Sequence, residues 1–410
     1  MIARELYMRR IRPFIDSELV KVMTGMRRSG KSVMMELIRQ ELTSRGVAPE
    51  HIFSFNFEDM RLAHLLTAES LHNEILRRVC ELRGKFYFFF DEIQEVAHWE
   101  KCINSLRVEM DCDIYVTGSN AKLLSGELAT YLGGRYVEFV IYPFSFSEFL
   151  AAYRQVFPDT SEAGCFREYI RLGGMPYLSH LRYEEEPCRQ YLTDVFRSVQ
   201  LKDVIQRNAI RDTDLLERII LYVMANLGSP LSAASLSRYL KNEHRSAAGE
   251  TIQNYLRYCT DAYLFYPARR QDLRGKQVLS VNEKYYLADH GIREAVFGGN
   301  TRDIQQILEN MVFLELMRRG YAVTVGKEGD REVDFVAEKQ DRRLYVQVCY
   351  LLASPETIQR EFGVYERIRD NFPKYVVSMD EIPMGRDGIH HCHIRDFLLD
   401  PSWSGKTTRQ

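Results

Sequence analysis

The 410-residue sequence predicts an α/β fold that begins with a parallel sheet covered by helices on both faces. Three observations support this prediction. Short apolar segments alternate with helical patterns over residues 1–145, a glycine-rich turn follows the first apolar segment, and two acids follow the third. Parallel strands that are buried on both faces are near-continuous apolar runs, and crossover helices separate them. The predicted strands are Val20–Met23, Ile52–Phe57, Phe86–Phe90, Ile114–Thr117 and Val137–Tyr142.

The glycine-rich turn from Gly25 to Ser32 has the spacing G-x-x-x-x-G-K-S, which is typical of a phosphate-binding loop. Glycines at both ends let the backbone curl, so that successive N–H groups point at phosphate oxygens. We expect Lys31 to reach the β- and γ-phosphates and Ser32 to ligate Mg²⁺, while the helix predicted from Lys31 to Thr43 directs its positive N-terminus at the phosphates. An ordinary glycine turn is the alternative, which the apolar strand before it and the helix after it disfavour. The predicted nucleotide-contacting residues are Gly25, Met26, Arg27, Arg28, Ser29, Gly30, Lys31, Ser32 and Val33.

Two acids, Asp91 and Glu92, follow the apolar strand predicted from Phe86 to Phe90. An acid at the carboxyl end of a buried strand can support a Mg²⁺ ion, and we assign that role to Asp91. Glu92 would orient and deprotonate the attacking water. The alternative is a strand that simply ends in a solvated acidic turn, and the phosphate loop upstream favours the functional interpretation.

Small polar residues, Ser119 and Asn120, end the next predicted strand. Because neighbouring parallel strands present their carboxyl ends to one crevice, Asn120 or Ser119 is expected to contact the γ-phosphate or the lytic water. A plain turn is the alternative. Arg135 precedes the fifth strand, and the residues alone leave two interpretations open. It is either a surface arginine in a glycine turn or a finger that stabilises the transition-state charge on a neighbouring subunit's nucleotide.

Taken together, these motifs resemble those of a large bacterial and archaeal family of AAA-type ATPases with a C-terminal domain of unknown function. The resemblance covers almost the whole chain. It implies ATP as the nucleotide, a P-loop NTPase domain, a helical lid with a winged helix, and a C-terminal nuclease-like module. It also puts Arg135 at the position of an arginine finger, which implies a homo-oligomer. The motifs are Gly25–Ser32, Phe90–Gln94, Thr117–Asn120, Gly134–Tyr136, Tyr142–Phe146, Gly173–Pro176, Glu332–Phe335 and Tyr345–Val348.

Bulk properties restrict where the protein acts. The net charge of −2 offers no whole-molecule attraction to nucleic acid, so any such site must be a local patch. The eight cysteines are scattered without a C-x-x-C pair, which favours reduced thiols in the cytosol. The N-terminus lacks the apolar run of a signal peptide, and the longest apolar stretch, Phe86–Phe90, is too short to cross a bilayer. We therefore expect a cytoplasmic protein without a membrane partner.

The expected domains are a nucleotide domain over 1–145, a helical lid over 146–210, a winged helix over 211–295, a restriction-endonuclease-like domain over 296–400 and a disordered tail over 401–410. In the winged helix, Ser232 is a plausible N-cap and Gly249–Asp261 would be the third helix. Leu264–Tyr266 and Val278–Ser280 would flank a wing. Thr251, Gln253, Asn254 and Arg257 would face a groove of a DNA duplex, and the wing arginines would face its phosphates. A packing module with a solvated basic face is the alternative. The predicted DNA-contacting residues are Gln253, Asn254, Arg257, Arg269, Arg270, Arg274 and Lys276.

The order of elements after residue 300 resembles a restriction-endonuclease-like core, with a helix over Asp303–Arg319 and another over Ser354–Asp370. Such enzymes hold Mg²⁺ with a cluster of acids and position the nucleophile with a lysine. Glu309 and Asp334 match two of the acids, but the expected acid-x-lysine is replaced by Gln347-Val348-Cys349. Because an amide is a weaker ligand for a hard cation and cysteine removes the charge, we expect a degenerate site that does not cleave DNA.

His390-His391-Cys392-His393 resembles a zinc motif, but neighbouring side chains on a strand point to opposite faces, so a strand is the preferred interpretation.

The leading functional hypothesis is an oligomeric, ATP-hydrolysing switch or motor that acts on DNA. In this hypothesis Lys31, Glu92, Arg135 and Asn120 are catalytic, and Ser32 and Asp91 hold Mg²⁺. The alternatives are a slow, nucleotide-gated regulator that binds DNA or a protein, and, less favoured, an active nuclease.

Overall fold

Residues 1–121, 132–273, 277–400 and 402–404 are described by a computed structural model. They divide into two units: the first holds Met1–Tyr142 with Asp261–Tyr263, and the second holds Pro143–Thr260 with Leu264–Gln410.

Helices and strands alternate in the first unit, as the apolar pattern predicts. Its elements are α1 (Glu5–Ile11), β1 (Val20–Thr24), α2 (Lys31–Ser44), β2 (Ile52–Asn56), α3 (Ala68–Val79), β3 (Phe86–Asp91), α4 (Trp99–Glu109), β4 (Cys112–Thr117) and β5 (Tyr136–Val140). The five strands are parallel and lie in the order β2-β3-β4-β1-β5. Strands β1 and β3 are buried along their whole length, which explains the apolar run Phe86–Phe90 of β3. In β1 the buried Lys21 pairs with Asp113. The predicted parallel-sheet fold class is confirmed.

Aromatic side chains hold the helices and the sheet of this unit together. Phe88 and Phe90 on β3 are fully buried, and Phe90 stacks on Phe55 of β2 with ring centroids 5.4 Å apart. Ile103 and Leu106 of α4 are buried in the same cluster. Burying a side chain of this size stabilises the fold by about 1.5–3 kcal/mol, so the sheet is a rigid platform for the loops at its edge.

The strand order brings three motifs together at the carboxyl ends of β1, β3 and β4, on one side of the sheet. Strand β4 lies between β1 and β3, and Thr117 at its end pairs in register with Met23 of β1. The carboxyl ends of the three parallel strands therefore line the same crevice, where open α/β sheets bind ligands. Gly25, Thr117 and Asp91 are the residues at these ends.

Helices dominate the first half of the second unit. They are α5 (Phe146–Val156), α6 (Glu162–Leu172), α7 (Glu185–Ser198), α8 (Thr213–Ala225), α9 (Ala233–Asn242) and α10 (Gly249–Asp261), which ends at the boundary of the first unit. Ser232 caps α9 by accepting a hydrogen bond from Ser235 N, as the sequence predicts. Within the predicted helical lid, α7 is α-helical to Ser198 and continues as a π-helix over Val199–Gln206.

A seven-stranded sheet forms the second half of this unit. Its elements are β6 (Phe265–Asp272), β7 (Gln277–Leu287), α11 (His290–Val296), α12 (Ile304–Arg318), β8 (Ala322–Glu328), β9 (Arg331–Lys339), β10 (Arg342–Val348), α13 (Pro355–Gly363), β11 (Lys374–Ser378), β12 (His390–His393) and α14 (Ile394–Leu399). The strand order is β12-β11-β10-β9-β8-β6-β7.

Strands β6 and β7, which the sequence suggested as the flanks of a separate wing, extend this C-terminal sheet. Residues 270–272 of β6 pair in parallel with residues 325–327 of β8. Helix α13 is also shorter than predicted, because the chain leaves the helix after Gly363, and Val364 and Tyr365 pack into the core beside Phe362.

The described chain end is packed rather than frayed. Trp403 is buried against Phe397, with ring centroids 4.2 Å apart, and its indole N–H donates to Phe397 O at 2.6 Å. Pro401 and residues 405–410 of the predicted disordered tail lie outside the described residues. In the part of the chain that the structure describes, no helix is long and apolar enough to cross a membrane.

Candidate functional site

The glycine-rich turn folds as a curled loop between β1 and α2. Gly25 has φ 133°, and a Cβ atom added to it would lie 2.3 Å from Ile141 O, so only glycine fits this position. Gly30 has φ 101° and is the N-cap of α2. Gly30 has no side chain that could cap the helix, so the helix N-terminus offers its amides to a ligand.

Lys31 lies inside the loop and is only 4% exposed. Its Nζ donates to Gly25 O at 3.1 Å and to Met26 O at 3.2 Å, and it lies 3.9 Å from Glu92 Oε1. Ser32 and Val33, in the first turn of α2, are exposed, and Met26 is buried. The Ser29 side chain is also buried, and its Oγ makes no hydrogen bond with the described residues.

Asp91 and Glu92 lie at the end of β3, and Thr117 of β4 ties them together. Thr117 Oγ1 donates to Asp91 Oδ1 at 2.5 Å and accepts from Glu92 N at 2.9 Å. Glu92 has φ 54°, a left-handed conformation that costs a non-glycine residue about 1–2 kcal/mol and is frequent at functional sites. Gln94 Nε2 donates to Glu92 Oε2. The carboxylate that faces Lys31 is therefore held by its own backbone and by two neighbouring side chains.

Asn120 and Ser119 are buried just beyond the end of β4. The preceding residue, Gly118, donates its N–H to Met23 O at 3.1 Å and so fixes this turn against β1. Both residues thus belong to the same edge of the sheet as Gly25 and Asp91.

Arg135 lies at the opposite edge of the same sheet. It is exposed, and its carbonyl accepts from Val20 N, at the start of β1, at 3.1 Å. Because β1 rises about 3.3 Å per residue, the loop that follows Thr24 is roughly 13 Å farther along the strand. The backbone of Arg135 is therefore remote from this chain's own phosphate loop.

The two loop arginines have different surroundings. Arg27 pairs with Glu58 at 2.9 Å, and Arg28 is exposed with φ 68°. The nucleotide contacts of both residues stay predictions.

The residues at this edge fit a triphosphate with Mg²⁺. The fit rests on glycines that admit a curled backbone, an uncapped helix N-terminus, one ammonium group, and the unpaired hydroxyl of the buried Ser29. The exposed hydroxyl of Ser32 and the carboxylate of Asp91 are oxygen ligands of the kind that Mg²⁺ prefers.

Two residues of this site have no role assigned from the sequence. Thr117 is part of a predicted strand and of a family motif, and its place beside Asp91 follows once β4 lies between β1 and β3. Arg4 gave no signal at all, because its partners are distant in sequence. It is 2% exposed and donates to Ser29 O at 2.9 Å and to Tyr142 O at 2.7 Å.

The predicted DNA-contacting residues are only partly brought together. Gln253 and Arg257, exposed on α10, and Arg269, exposed on β6, line one cavity of about 350 Å³ together with Glu283. Asn254 is half-buried and accepts from the Arg257 guanidinium at 3.0 Å.

Arg270 does not share this surface. It is half-buried and pairs with Glu332 at 2.9 Å, because alternate residues of a strand point to opposite faces. Arg274 and Lys276 lie outside the described residues.

The C-terminal acids surround a lysine that the sequence analysis did not expect there. Lys284 on β7 is buried and pairs with Glu332 at 2.8 Å and with Asp334 at 3.8 Å. Gln347, predicted as the degenerate ligand, accepts from Asp334 N at 3.2 Å and donates to Glu361 at 2.9 Å. The cluster therefore does contain a lysine, but that lysine lies on β7 and not at the expected position on β10.

Glu309 is the remaining acid of this cluster, and it lies beside the turn at Gly228. A Cβ atom on Gly228 would lie 2.6 Å from Glu309 Oε2. Burial and the nearby Asp334 raise the pKa of Glu309 to about 8. Burial raises the pKa of Asp334 to about 6, although Lys284 opposes that shift. Nearby carboxylates outweigh burial at Lys284 and raise its pKa to about 12. Among the described residues, no three His, Cys, Asp or Glu side chains are grouped so that they could hold a metal ion.

Two histidines of β12, His391 and His393, make hydrogen bonds to neighbouring residues of the chain. His391 bonds to Ser378 Oγ at 2.9 Å and accepts from Met384 N at 3.0 Å, and His393 accepts from Arg395 N at the start of α14. The strand that was predicted here is confirmed.

Comparison with known proteins identifies family models, relatives and a solved structure to which this chain is similar. The model of the AAA domain family matches residues 17–150, and a domain of unknown function (DUF8612) matches residues 164–303. An uncharacterized protein of Haemophilus influenzae is 38% identical over 97% of this chain and 99% of its own length. An uncharacterized protein of Methanocaldococcus jannaschii is 30% identical over 95% of this chain and 88% of its own. The Orc1 protein of Aeropyrum pernix, solved in complex with DNA, aligns with 74% of this chain and 93% of its own at 12% identity and a TM-score of 0.31.

Proposed function

The chain belongs to the same family as the Haemophilus influenzae and Methanocaldococcus jannaschii proteins and carries an AAA domain, and on this premise we propose that it binds and hydrolyses ATP as an oligomeric switch or motor. One observation carries the proposal. The buried Lys31 ammonium lies 3.9 Å from Glu92, beside a helix N-terminus that no side chain caps. This arrangement joins a phosphate-binding cation to a carboxylate that can serve as a base.

Binding begins with the loop. The backbone amides between Gly25 and Ser32 and the positive end of α2 bind the phosphate oxygens. Lys31 exchanges the carbonyls of Gly25 and Met26 for the β- and γ-phosphates, since a charged acceptor binds an ammonium more strongly than a neutral carbonyl does. Ser32 and Asp91 would hold Mg²⁺, which supplies positive charge to the β- and γ-phosphate oxygens.

Hydrolysis requires a base beside the γ-phosphate. Glu92 orients a water molecule and takes its proton as the water attacks. Thr117 holds the backbone of Glu92 and the carboxylate of Asp91 in one arrangement, so that both groups keep their geometry during the reaction. Asn120, buried at the same edge, contacts the γ-phosphate or the water.

Arg135 acts in trans in this proposal. Its position at the amino ends of the strands supports a role on a neighbouring subunit's nucleotide rather than on its own, and such a role requires a homo-oligomer.

A mixing experiment tests the proposal. Arg135→Ala and Glu92→Gln should each bind ATP and hydrolyse it poorly. If Arg135 completes a neighbour's site, then mixing the two variants restores part of the turnover, because some interfaces combine an intact Glu92 with an intact Arg135. Mixtures no more active than the separate variants would contradict action in trans. Wild-type protein that neither binds nor hydrolyses ATP would contradict the proposal as a whole.

DNA binding is a second candidate function, and the cavity shared by Gln253, Arg257 and Arg269 favours it. We propose that this surface contacts the phosphates of a duplex, and that ATP changes how it is presented. In this regulator, turnover is slow and DNA does not stimulate it. Titration of a labelled duplex at two salt concentrations provides the test, because phosphate contacts weaken as salt rises.

A matched pair of variants localises the contact. Arg269→Ala should weaken duplex binding and lower the salt dependence by about one ion, whereas Arg270→Ala should change neither. The Arg270 side chain is 15% exposed and pairs with Glu332 at 2.9 Å, whereas that of Arg269 is 68% exposed and lies 3.5 Å from Glu283. Equal losses in both variants would contradict this surface, and binding that does not depend on salt would remove the hypothesis.

A further inference from the structure

Arg4 connects the chain's N-terminal segment to the phosphate loop. One guanidinium nitrogen donates to Ser29 O at 2.9 Å and another donates to Tyr142 O at 2.7 Å. The guanidinium also lies over the Tyr7 ring, 4.6 Å from its centroid, and Tyr7 Oη accepts from Tyr142 N at 3.1 Å. Arg4 therefore bridges the last part of the loop and the chain that follows β5.

The hydrogen bond at Ser29 O also affects the orientation of the next amide, the N–H of Gly30. The peptide unit is planar and trans, so its C=O and N–H groups point in opposite directions. The carbonyl of Ser29 belongs to the same peptide unit as the N–H of Gly30, the N-cap of α2. When Arg4 holds the Ser29 carbonyl outward, the Gly30 amide is turned the other way, toward the interior of the curled loop.

From this geometry we infer that Arg4 is a positioning residue for phosphate binding and hydrolysis: it fixes the orientation of the Gly30 amide. The inference rests on the proposed ATPase function. A guanidinium suits this task because its planar fork can hold two carbonyls in a fixed relation, which a single ammonium cannot do.

The backbone of Arg4 also supports a clamp at this position. Arg4 has φ 46°, a left-handed conformation that L-residues rarely adopt unless the surroundings hold it. Downstream in the same segment, Arg12 pairs with Glu41 of α2 at 2.9 Å and with Glu5 at 2.6 Å. Arg12 thus fastens the segment to the second half of α2 rather than to the loop, which makes it a control for the role of Arg4.

Kinetics of three variants test the inference. Arg4→Ala should lower kcat by about 10- to 100-fold with a smaller rise in KM, because a misplaced amide affects the transition state most. Arg4→Lys should recover part of the kcat, since it keeps a charge but can hold only one carbonyl well. Arg12→Ala is the matched control: it removes an ion pair from the same segment without touching the loop. It should lower Tm and leave kcat and KM within about twofold, the effect of a merely structural role.

Several outcomes would overturn the inference. Equal kcat in Arg4→Ala and wild type, measured where circular dichroism shows both folded, contradicts it. A loss of kcat in Arg12→Ala as large as that in Arg4→Ala also contradicts it. If Arg4→Ala does not fold, Arg4→Lys provides the test, and a folded Arg4→Lys variant with wild-type kcat contradicts the inference. Wild-type protein without ATP binding or turnover would remove the proposed function and this inference with it, whereas an active wild type with unaffected variants would remove only the inference.

Discussion

The phosphate loop and the C-terminal acidic cluster each contain a buried lysine near carboxylates. The two lysines differ in the groups that they already contact. Lys31 donates to two neutral carbonyls and lies 3.9 Å from Glu92, beside the exposed Ser32. Lys284 is paired at 2.8 Å with Glu332, and Glu309 nearby lies directly beneath Gly228. In the proposed function the first lysine exchanges neutral partners for phosphate, whereas the second is already engaged by carboxylates.

The comparison shows that motif residues alone do not define a site. Glu309, Asp334 and a lysine are the parts that a nuclease centre needs, and the structure brings them together. Lys284 nevertheless already pairs with Glu332 and Asp334, Glu309 beside them is buried with a raised pKa, and the cluster is covered. At the phosphate loop the N-cap of α2 is a glycine, and the Ser32 hydroxyl is exposed. Access, rather than residue identity, separates the exposed loop from the buried charged cluster.

The largest expected effect is at Glu92. Glu92→Gln removes the base but keeps the shape of the side chain, so turnover should fall by about 10²- to 10⁴-fold while ATP binding is retained. Steady-state phosphate release and nucleotide titration measure the two properties. Glu95→Gln, an exposed acid in the same turn, is the control and should behave as wild type. Normal turnover in Glu92→Gln would show that another group is the base.

Removing the cation of the C-terminal cluster should destabilise the protein. Lys284→Met leaves the buried Asp334 without its cation, whereas Glu332 keeps its pair with Arg270, and breaking a buried pair costs about 3–5 kcal/mol of unfolding free energy. Urea denaturation measures this loss, and Lys202→Met, at an exposed lysine, should lose almost nothing.

The same cluster should not cleave DNA. Incubation of wild-type protein with duplex and Mg²⁺ or Mn²⁺ should leave the substrate intact. Cleavage that disappears in Asp334→Ala would contradict the internally neutralised cluster and would favour a working nuclease.

A smaller effect is expected in the pH dependence of stability. The pKa of Glu309 is raised from 4.5 to about 8, so the folded state retains this proton more tightly than the unfolded state does. The stability that it contributes is fully present below about pH 4.5 and is lost as pH rises through 8. Between pH 5.5 and 8, wild type should lose on the order of 1–3 kcal/mol relative to Glu309→Gln, whose side chain does not titrate. Parallel pH profiles for the two proteins would show that Glu309 is not buried as a neutral acid.

Local chemistry was predictable from the sequence, and long-range pairing was not. Gly25, Lys31 and Ser32 are eight residues or fewer apart, so their spacing alone defines a loop. The parallel sheet follows from apolar segments such as Phe86–Phe90, which need burial on both faces.

The partners of Lys284 and Arg270 depend on pairing between strands that are far apart in sequence. Both residues reach Glu332 because β6 and β7 join the C-terminal sheet beside β8, a pairing that no local pattern announces. Arg4 likewise meets Ser29 only through the folded arrangement of the N-terminal segment. These are the residues whose roles the sequence analysis misassigned or missed.

The central claim is that Lys31 is held ready to exchange its two carbonyl partners for a triphosphate. Calorimetric titration of Lys31→Met with ATP and Mg²⁺ tests it most directly, because methionine keeps the length of the side chain and removes only the ammonium. We expect a protein that melts as wild type does and binds ATP at least about 10-fold more weakly, the loss of one charge-assisted contact. A well-folded Lys31→Met that binds ATP with wild-type affinity would contradict the account.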